Sequence, residues 1–383
     1  MFRPHWPLLA LLLVCATTLS AQGRDEDAEP QPPWRLSYFP YLSGGVNDGP
    51  VISARLRYWR PAEYEDRVTA DGAFDAAAGV TLRGSRYVAA RFSGPQLVEG
   101  WRILAGAIAE RQVRFGYFGL GNETEKDDDL VTDATPFLYR VRRTRYEGTV
   151  EVTRRIRGPL HVALLGDFES VRFTTLPGPS LFDGDFGEEL HQDDAAGRIA
   201  LVYDTRDVEY NTHRGLLLEA GAQVGSGGGG YTRLYTVLRG YLTVREGTTV
   251  AARLAGSGMG GTPTLNARFD LPAWEDQLSV LGGVQSHRSL DAGRYAGKGT
   301  LFGNLEVRHD LLPFGDLGAV TLIAFVDAGR VFESESFRLT TEDMAVGGGG
   351  GVALRILRST IFTFNFAGGP DGFNFEVGSG WMF

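Results

Sequence analysis

Single apolar and polar residues alternate along most of this chain. In residues 215–225, GLLLEAGAQVG, most apolar side chains fall on one face, and Glu219 and Gln223 fall on the other. Residues 319–329, AVTLIAFVDAG, show the same alternation, with Asp327 on the less apolar face. A period of two is typical of a β-strand whose two faces meet different surroundings. The pattern therefore predicts an all-β fold.

Segments with this alternation predict about sixteen strands. They are 50–60, 73–82, 86–93, 99–108, 112–118, 137–153, 160–173, 195–205, 215–224, 231–243, 249–258, 299–309, 317–329, 346–356, 358–368 and 373–383. The connections after odd-numbered strands include the long polar stretches 61–72, 119–136, 174–194, 259–298 and 330–345, whereas most others are tight. Outer-membrane barrels have short periplasmic turns and long outside loops. The pattern thus predicts a transmembrane antiparallel β-barrel with both ends in the periplasm.

Composition agrees with a barrel and argues against other classes. Glycine accounts for 52 of the 383 residues. Mean hydropathy is only −0.13, as expected when alternate residues alone face lipid. Beyond the amino-terminal leader no segment has 18 consecutive apolar residues, which excludes a helical membrane protein. The net charge of −9 argues against a nucleic-acid partner. A soluble β-sandwich would show the same alternation and is the alternative.

The first residues predict export from the cytoplasm. Residues 1–21 contain one cation, Arg3, then an apolar run and small residues, as in a secretory signal peptide. Cys15 is the only cysteine, so the mature chain would have none; a lipoprotein processed at Cys15 is a second interpretation. Residues 22–49 are acidic and rich in proline, which predicts a short, disordered periplasmic segment. The barrel domain is expected to cover 50–383.

The last residues, EVGSGWMF, continue the alternation. They resemble the carboxy-terminal targeting signal of outer-membrane barrels, which has a polar residue, a glycine and two aromatic residues, here Glu376, Gly378, Trp381 and Phe383. The resemblance implies that the barrel assembly machinery recognises this strand during insertion.

Five further segments resemble motifs of one family, and they occur in the family's order. LVYDTRDVEYNTHRGLLLEAG carries Asp204, Arg206, Asp207 and Gly215 at the end of a strand and in a turn. GYFGLGNET follows a strand, and LSVLGGVQSHRSL contains Gly282 and Gly283 before a loop tip. FGNLEVRHDLLPFG and FVDAGRVF match the two strands after that loop. Together they resemble the bacterial surface antigen superfamily, the barrels of outer-membrane protein assembly and two-partner secretion.

The resemblance implies a role in outer-membrane biogenesis or in moving protein or lipid, in the outer membrane of a Gram-negative bacterium. Implied partners are outer-membrane lipid and lipopolysaccharide, the barrel assembly machinery during insertion, and a separate periplasmic protein. Residues 22–49 are too short for the family's polypeptide-transport-associated domains, which disfavours a central assembly role. A passive channel on the same scaffold is the alternative function.

The resemblance also implies that the loop 259–298 folds into the lumen. Arg288 takes the place of the family's loop-tip arginine, although His287, Ser289 and Leu290 depart from the usual residues around it. Glu306 and Asp327 fall on lumen faces of adjacent strands, where two carboxylates need a cation. We expect Arg288 to bind both. In the simpler alternative, Glu306 pairs with Arg308 and Asp327 contacts only water.

Other chemistry finds little support in the sequence. GSGMGG, 256–261, lacks the residue order of a nucleophile elbow, and the histidines beyond the leader have no metal-ligand spacing. We therefore expect no enzymatic activity, no cofactor and no metal centre. The acidic runs 125–129, 183–189 and 192–194 fall in predicted outside loops. There they would either share divalent cations with lipopolysaccharide phosphates or simply be solvated.

Overall fold

The described part of the chain is built mainly from antiparallel strands. The computed structural model describes residues 32–43, 49–334, 337–357 and 360–383. The strands are β1 Arg35–Ser43, β2 Val51–Pro61, β3 Ala70–Thr81, β4 Arg86–Val98, β5 Trp101–Gly116, β6 Arg140–Arg157, β7 Leu160–Thr174, β8 Glu189–Asp204, β9 Gly215–Gly225, β10 Tyr231–Arg245, β11 Thr248–Gly261, β12 Asp270–Ala273, β13 Asp276–Ser279, β14 Gly299–Pro313, β15 Gly318–Phe332, β16 Ala345–Ile356, β17 Thr360–Gly369 and β18 Gly372–Ser379. A short helix, α1 Leu181–Phe186, lies between β7 and β8. Within these ranges, no helix has the length and apolar character needed to cross a membrane.

One sheet contains 16 of the described strands, and each pairs with the next along the chain. The β12–β13 hairpin is a separate two-stranded unit, so β11 pairs directly with β14. The strands at the two ends of this order, β1 and β18, contact each other, which closes the sheet into a barrel. The predicted all-β antiparallel barrel is confirmed.

The two faces of the sheet differ as the alternation predicts. On β9 the side chains of Leu218 and Val224 are exposed, whereas Glu219 and Gln223 are buried. On β15, Leu322 and Val326 are likewise exposed and Asp327 is buried, although the apolar Ile323 and Phe325 also face the lumen. An apolar outer band suits lipid, and a polar interior suits water and ion pairs.

The barrel begins earlier than the sequence predicts. Residues 35–43 fall in the segment 22–49 that the sequence predicts to be disordered, but they form β1 and pair in register with β2. This strand contains Pro40, and a proline removes one ladder hydrogen bond. It is tolerated because β1 stands at the end of the sheet order and has a ladder partner only in β2. The predicted signal peptide, 1–21, lies outside the described residues.

The strand β5 is longer than either of the two strands predicted in its place. The predicted strands 99–108 and 112–118 are one strand, with a bulge between Gln112 and Phe115. A bulge shifts the alternation by one position and can imitate a turn in the sequence. The unpredicted β1 and the divided β5 compensate, so the strand count agrees with the prediction although two assignments were wrong.

The stretch 61–72 lies at the opposite end of the barrel from the one predicted, because β1 precedes β2. It was expected among the long outside loops, but the carbonyl oxygen of Arg67 accepts the N–H of Glu209, in the β8–β9 connection, at 2.8 Å. From β6 onward, each connection lies at the end of the barrel that the sequence predicts. The long connections 117–139, 175–188, 262–298 and 333–344 share the opposite end. We call the two ends the short-connection end and the long-connection end.

The connection from β11 to β14, residues 262–298, folds into the barrel as predicted, and we call it the lumen loop. Leu271 and Leu290 of this loop are completely buried. They belong to an apolar cluster that also contains inward-facing residues of the wall, among them Val237, Phe302 and Val331. The loop therefore has a small hydrophobic core of its own inside the lumen.

Candidate functional site

Two neighbouring strands place acidic side chains in the lumen. Alternation turns Asn304, Glu306 and Arg308 of β14 inward, and it does the same for Asp327 of β15. Asn304 is directly opposite Asp327 in the ladder, so Glu306 lies one inward position farther along. Glu306 and Asp327 are each 1% exposed. Carboxylates this far removed from water require cations or hydrogen-bond donors beside them.

The tip of the lumen loop is shaped by the two predicted glycines. Gly282 and Gly283 have φ angles of 124° and 84°, a region in which other residues are strained. A Cβ on Gly282 would also collide with the carbonyl oxygen of Asp291. The N–H of Gly283 donates to the carbonyl oxygen of Leu290 at 3.1 Å. This bond closes the tip and presents Arg288 to the wall.

Arg288 lies between the two carboxylates. Its Nη1 donates to Glu306 Oε2 at 2.6 Å. Its Nη2 and Nε donate to the two oxygens of Asp327 at 2.8 and 2.9 Å, and its backbone N–H donates to Asp327 Oδ2 at 3.0 Å. The guanidinium covers the ring of Phe325 at 3.4 Å from the ring centre. The structure thus brings together all three residues expected from the sequence.

The charge of Arg288 is maintained in this setting. Burial by itself would lower the pKa of the guanidinium, because a charged group loses its hydration. The hydrogen bonds and negative charge of Asp327 and Glu306 outweigh burial and raise the pKa of Arg288 above its ordinary value. Arg288 therefore remains a cation while it occupies the lumen.

A second arginine completes the group. Arg308 Nε donates to Glu306 Oε1 at 2.7 Å, and Asn304 Nδ2 donates to Asp327 Oδ1 at 2.8 Å. We call Arg288, Arg308, Glu306 and Asp327 the ion-pair cluster. In the simpler alternative from the sequence, Glu306 pairs with Arg308 instead of Arg288, whereas in the structure Glu306 accepts hydrogen bonds from both arginines. Two cations balance two anions, so the cluster carries no net charge.

The residues that depart from the family pattern are accommodated in this chain. His287 Nε2 lies 3.1 Å from the carbonyl oxygen of Ala345, and burial lowers the pKa of His287, which favours the neutral ring. Ser289 occupies a niche on the inner wall where a Cβ on Gly347 or Gly369 would collide with its hydroxyl. Leu290 is completely buried in the apolar cluster. Each departure therefore has a matching feature in the loop or the wall.

The β12–β13 hairpin forms a second anchor that the sequence analysis missed. Trp274, at its turn, donates from Nε1 to Thr153 Oγ1 at 3.0 Å and from its N–H to Glu219 Oε2 at 2.5 Å. Its ring packs with wall residues that include Tyr235. The sequence contains one feature that could have predicted this hairpin, namely Trp274 between the short alternating segments LPA and DQLS.

One arginine links this hairpin to the short-connection end. Arg102 donates to both oxygens of Glu275, at 2.7 and 3.0 Å, and to both oxygens of Glu209, at 2.9 and 2.8 Å. Glu275 follows Trp274 in the hairpin, and Glu209 lies in the β8–β9 connection. Bidentate pairs of this kind are directional as well as strong. The lumen loop is therefore connected with the opposite end of the barrel.

The predicted family motif organises that β8–β9 connection. Asp204 accepts hydrogen bonds from the backbone and side chain of Arg206 at 2.9–3.0 Å, and from Arg67 at 2.8 Å. Asp207 Oδ1 accepts the N–H of Val208 at 2.9 Å and of His213 at 3.1 Å. Gly215 has φ 110°, and a Cβ there would collide with the preceding turn. The motif is a turn at the short-connection end, and it is far from the residues of the ion-pair cluster in the sequence.

The segment GYFGLGNET lies against the lumen loop at the long-connection end. The N–H of Gly121 donates to the carbonyl oxygen of Ala296 at 2.8 Å. Arg294 donates to Thr124 Oγ1 at 2.9 Å and to Asp371 Oδ1 at 3.1 Å. The segment after β5 and the β17–β18 turn therefore hold the returning half of the loop.

The carboxy-terminal residues differ from the prediction. The strand expected over 373–383 ends at Ser379, because Gly380 adopts φ 89° and turns the chain. An uninterrupted alternation would place Trp381 on the apolar face with Phe375. Instead, its Nε1 donates to Asn211 Oδ1 at 2.8 Å, and its ring lies 4.2 Å from the guanidinium of Arg308. The Phe383 carbonyl oxygen accepts from Arg308 at 3.0 Å.

The other two residues of the predicted targeting signal face the lumen. Glu376 is 3% exposed, and neither carboxylate oxygen has a hydrogen-bond partner among the described residues. Gly378 lies opposite Thr363 in the ladder, and a Cβ there would approach the Thr363 hydroxyl to 2.8 Å. Glu376 and Gly378 thus share the inward register, as the alternation predicts.

The acidic runs do not gather around a common centre. The run 192–194 lies within β8 and not in an outside loop, and Asp194 faces the lumen, where it accepts the hydroxyl of Tyr231 at 2.7 Å. Run 183–189 spans the end of α1 and the start of β8. Within the described ranges, no group of three or more metal-ligating side chains is arranged to hold an ion.

A cavity of about 260 Å³ remains beside the lumen loop. The strands β6 and β7 line it with Glu147, Glu151, Asp167 and Glu169, and Arg198 and Arg233 contribute positive charge. Carboxyl groups outnumber arginines in this set, so the cavity next to the loop is rich in acidic side chains.

Comparison with known proteins relates the chain to one family and one fold. The Omp85 superfamily domain matches residues 53–380. No curated protein matches the sequence. Among solved structures, the barrel is similar to BamA from Haemophilus ducreyi lacking POTRA domains 1–3 and to CdiB from Escherichia coli and from Acinetobacter baumannii.

These structural similarities extend over most of the chain at low identity. BamA shares 11% identity with a TM-score of 0.59, over 92% of this chain and 71% of that one. The CdiB from Escherichia coli shares 13% identity with a TM-score of 0.58, over 91% and 62%. The CdiB from Acinetobacter baumannii shares 11% with a TM-score of 0.52, over 91% and 65%. The chain therefore matches less than two thirds of each CdiB chain, and these similarities concern the fold.

Proposed function

This chain belongs to the Omp85 superfamily, and on that premise we propose that it acts in outer-membrane biogenesis or in the translocation of protein or lipid. The barrel provides the pathway, and the lumen loop is its gate. The ion-pair cluster is the observation that carries this proposal, because it ties the loop to the wall through Arg288.

An ionic anchor suits a gate that opens and closes again. When the loop leaves the lumen, water can solvate the charges that lose their partners, and Glu306 keeps Arg308. No charge of the cluster is then left both buried and unpaired. Burial of Leu271 and Leu290 opposes opening, because apolar surface returns to water. A substrate or partner must therefore bind the open state more tightly than the closed one.

We test the proposal in a strain that lacks the gene. The strain is complemented with the wild type, with Arg288→Ala or with Arg154→Ala, which changes an exposed arginine of β6 outside the cluster. We expect the deletion to alter the outer-membrane content of barrel proteins, secreted proteins or lipid. Wild type and Arg154→Ala should restore it, and Arg288→Ala should not.

One result would contradict this function. If the deletion leaves the protein and lipid composition unchanged but reduces the uptake of small solutes, the chain is a passive channel. The acidic cavity favours this second candidate, because charged rings in a lumen select ions of opposite sign. A channel of this kind should prefer cations in planar bilayers, and Asp167→Asn together with Glu147→Gln should reduce the preference.

We further propose that the protein resides in the outer membrane of a Gram-negative bacterium, among outer-membrane lipid and lipopolysaccharide. The barrel assembly machinery inserts it by recognising the carboxy-terminal residues, and a separate periplasmic partner binds the short-connection end. The link from Glu209 through Arg102 to Glu275 would transmit that binding to the lumen loop. Fractionation with the outer membrane supports this location, and recovery in the soluble periplasm contradicts it.

A further inference from the structure

A row of basic side chains crosses the outer surface of the barrel. The ladder places Arg86, Arg111, Thr144, Arg172 and His191 directly opposite one another on β4, β5, β6, β7 and β8. They belong to the outward register, since their inward neighbours along each strand are the more buried residues. Arg142 lies two residues beyond Thr144 in the same register of β6. Arginines thus form a band across β4, β5 and β6, whereas on β7 and β8 Arg172 and His191 lie beside acidic residues.

Three of these arginines have no acidic partner. Arg172 pairs with Glu189 at 3.5 Å. For Arg86, Arg111 and Arg142, the residues that the structure describes provide neither an ion pair nor a side-chain hydrogen bond, and the Nε atoms of Arg111 and Arg142 are buried without a partner. Arg86 is directly opposite Arg111. Like charges placed opposite each other destabilise a sheet, so an anion bound between or above this pair would relieve the repulsion.

The height of the row on the barrel identifies its surroundings. On β5, Arg111 lies ten residues from Trp101, which marks the short-connection end. Because the strands are tilted, ten residues advance about 25 Å along the barrel axis, which is the height of the apolar band of outer-membrane barrels. The outward side chains between them are Ile103, Ala105, Ala107 and Ala109. The basic row therefore lies at the boundary of the apolar band, at the long-connection end.

We propose that this row, Arg86, Arg111 and Arg142, binds the phosphate groups of a phosphorylated glycolipid of the lipid A class in the outer leaflet. The acyl chains lie on the apolar residues below the row, including Val88 and Tyr146, which are 63% and 59% exposed. The guanidinium groups donate charge-assisted hydrogen bonds to the phosphate oxygens. The site is on the outer wall, away from the lumen, and depends only on the barrel spanning the membrane.

The test measures binding of diphosphoryl lipid A to the purified full chain in neutral detergent by native mass spectrometry. We expect the wild type to retain the lipid and the pair Arg86→Gln with Arg111→Gln to bind it at least about tenfold more weakly, because two charge-assisted contacts are lost. The matched control is Arg154→Gln, an outward arginine of β6 at the short-connection end, which should bind as the wild type does. Equal binding by the double variant would overturn the proposal.

Two further probes identify the ligand chemistry with the wild type alone, so they remain informative if the double variant fails to fold. Dephosphorylated lipid A should lose most of the binding, and retention at full affinity would contradict phosphate recognition. Inorganic phosphate should compete only at far higher concentration, since it lacks the apolar contacts. Equal competition by inorganic phosphate would show a simple anion site and overturn the assignment to a glycolipid.

Discussion

Arg288 joins the lumen loop to the barrel wall, and its guanidinium geometry is what the two carboxylates require. Three of its nitrogen atoms and its backbone N–H reach Glu306 and Asp327 at 2.6–3.0 Å. A lysine offers one point charge and cannot form two parallel bonds to Asp327 while also reaching Glu306. The cluster therefore depends on the residue type as well as on the charge.

The first prediction compares two substitutions of this residue. Removing one partner of a buried charge cluster costs about 3–5 kcal/mol, and less where water enters the lumen. Arg288→Ala should therefore make residues 262–298 sensitive to protease, and Arg288→Lys should give an intermediate rate. Limited proteolysis of the detergent-solubilised barrel measures both, with Arg154→Ala as the control. Equal resistance of Arg288→Ala and the wild type would show that the cluster does not hold the loop.

Ser289 shows how this chain accommodates a residue that departs from the family pattern. Its side chain fills a niche between Gly347 and Gly369, and those positions have no space for a Cβ while Ser289 is present. The glycine run of β16, residues 347–351, therefore includes a position that makes room for the loop tip.

The second prediction tests that fit with a double substitution. Gly347→Ala should displace the tip, because overpacking a closed site costs about 1–3 kcal/mol. Adding Ser289→Gly should restore most of the docking, since it removes the two nearest atoms and leaves the Gly368 carbonyl oxygen, at 3.0 Å, as the next neighbour. The two changes should therefore couple. Thermal stability and proteolysis of the four variants measure the coupling. Gly368→Ala is the control, because nothing lies within 4 Å of a Cβ there. Additive effects, without rescue, would contradict the proposed fit.

At the scale of elements, the lumen loop is held at two separate places on the wall. The tip binds β14 and β15 through the ion-pair cluster, and the β12–β13 hairpin binds β6 and β9 through Trp274. The carboxy-terminal residues after β18 support the first anchor, because Trp381 stacks on Arg308. Elements that are far apart in the chain thus fix the loop to the wall.

The third prediction concerns the hairpin. Trp274→Ala should release it, because truncating a buried tryptophan costs about 3–5 kcal/mol, and Glu219 and Thr153 would lose well-placed donors. Hydrogen exchange should accelerate in residues 270–279 more than in residues 286–291. The control is Trp101→Ala, which removes a tryptophan from the outer surface. Uniform acceleration over the whole loop would mean that the two anchors open as one unit.

At the scale of the whole molecule, two anchors on different strands make closure redundant. Loss of one anchor leaves the other and the apolar core of the loop in place. Local opening of a segment held at two sites is rarer than opening of a segment held at one, because the free energies of release add when the sites are independent.

The fourth prediction follows from this redundancy. In planar bilayers, Arg288→Ala and Trp274→Ala should each produce brief openings, and the double variant should produce a sustained conductance. The reason is that the loop then lacks both polar anchors, and water can enter the lumen. Single-channel recordings at fixed voltage measure the open fraction, with the double variant of Arg154→Ala and Trp101→Ala as the control. A closed double variant would show that the apolar core alone shuts the barrel.

The amino-acid sequence by itself determined the class of fold and the face on which most strand side chains lie. Successive side chains of a strand point to opposite faces, so this information depends only on neighbours in the chain. It placed Glu306 and Asp327 in the lumen, and the resemblance of the loop motif nominated Arg288 as their partner. The structure brings these residues together at 2.6 and 2.8 Å.

Only the tertiary structure decided how distant segments meet. Pro40 lies in a strand because β1 stands at the end of the sheet order, Gly380 turns Trp381 into the lumen, and Trp274 finds its niche across the barrel. Arg86 stands beside Arg111 because of the register between β4 and β5. Each of these features depends on which residues become neighbours once the sheet closes. The local alternation contains no such information, since a shift of register changes every neighbour but leaves the sequence pattern the same.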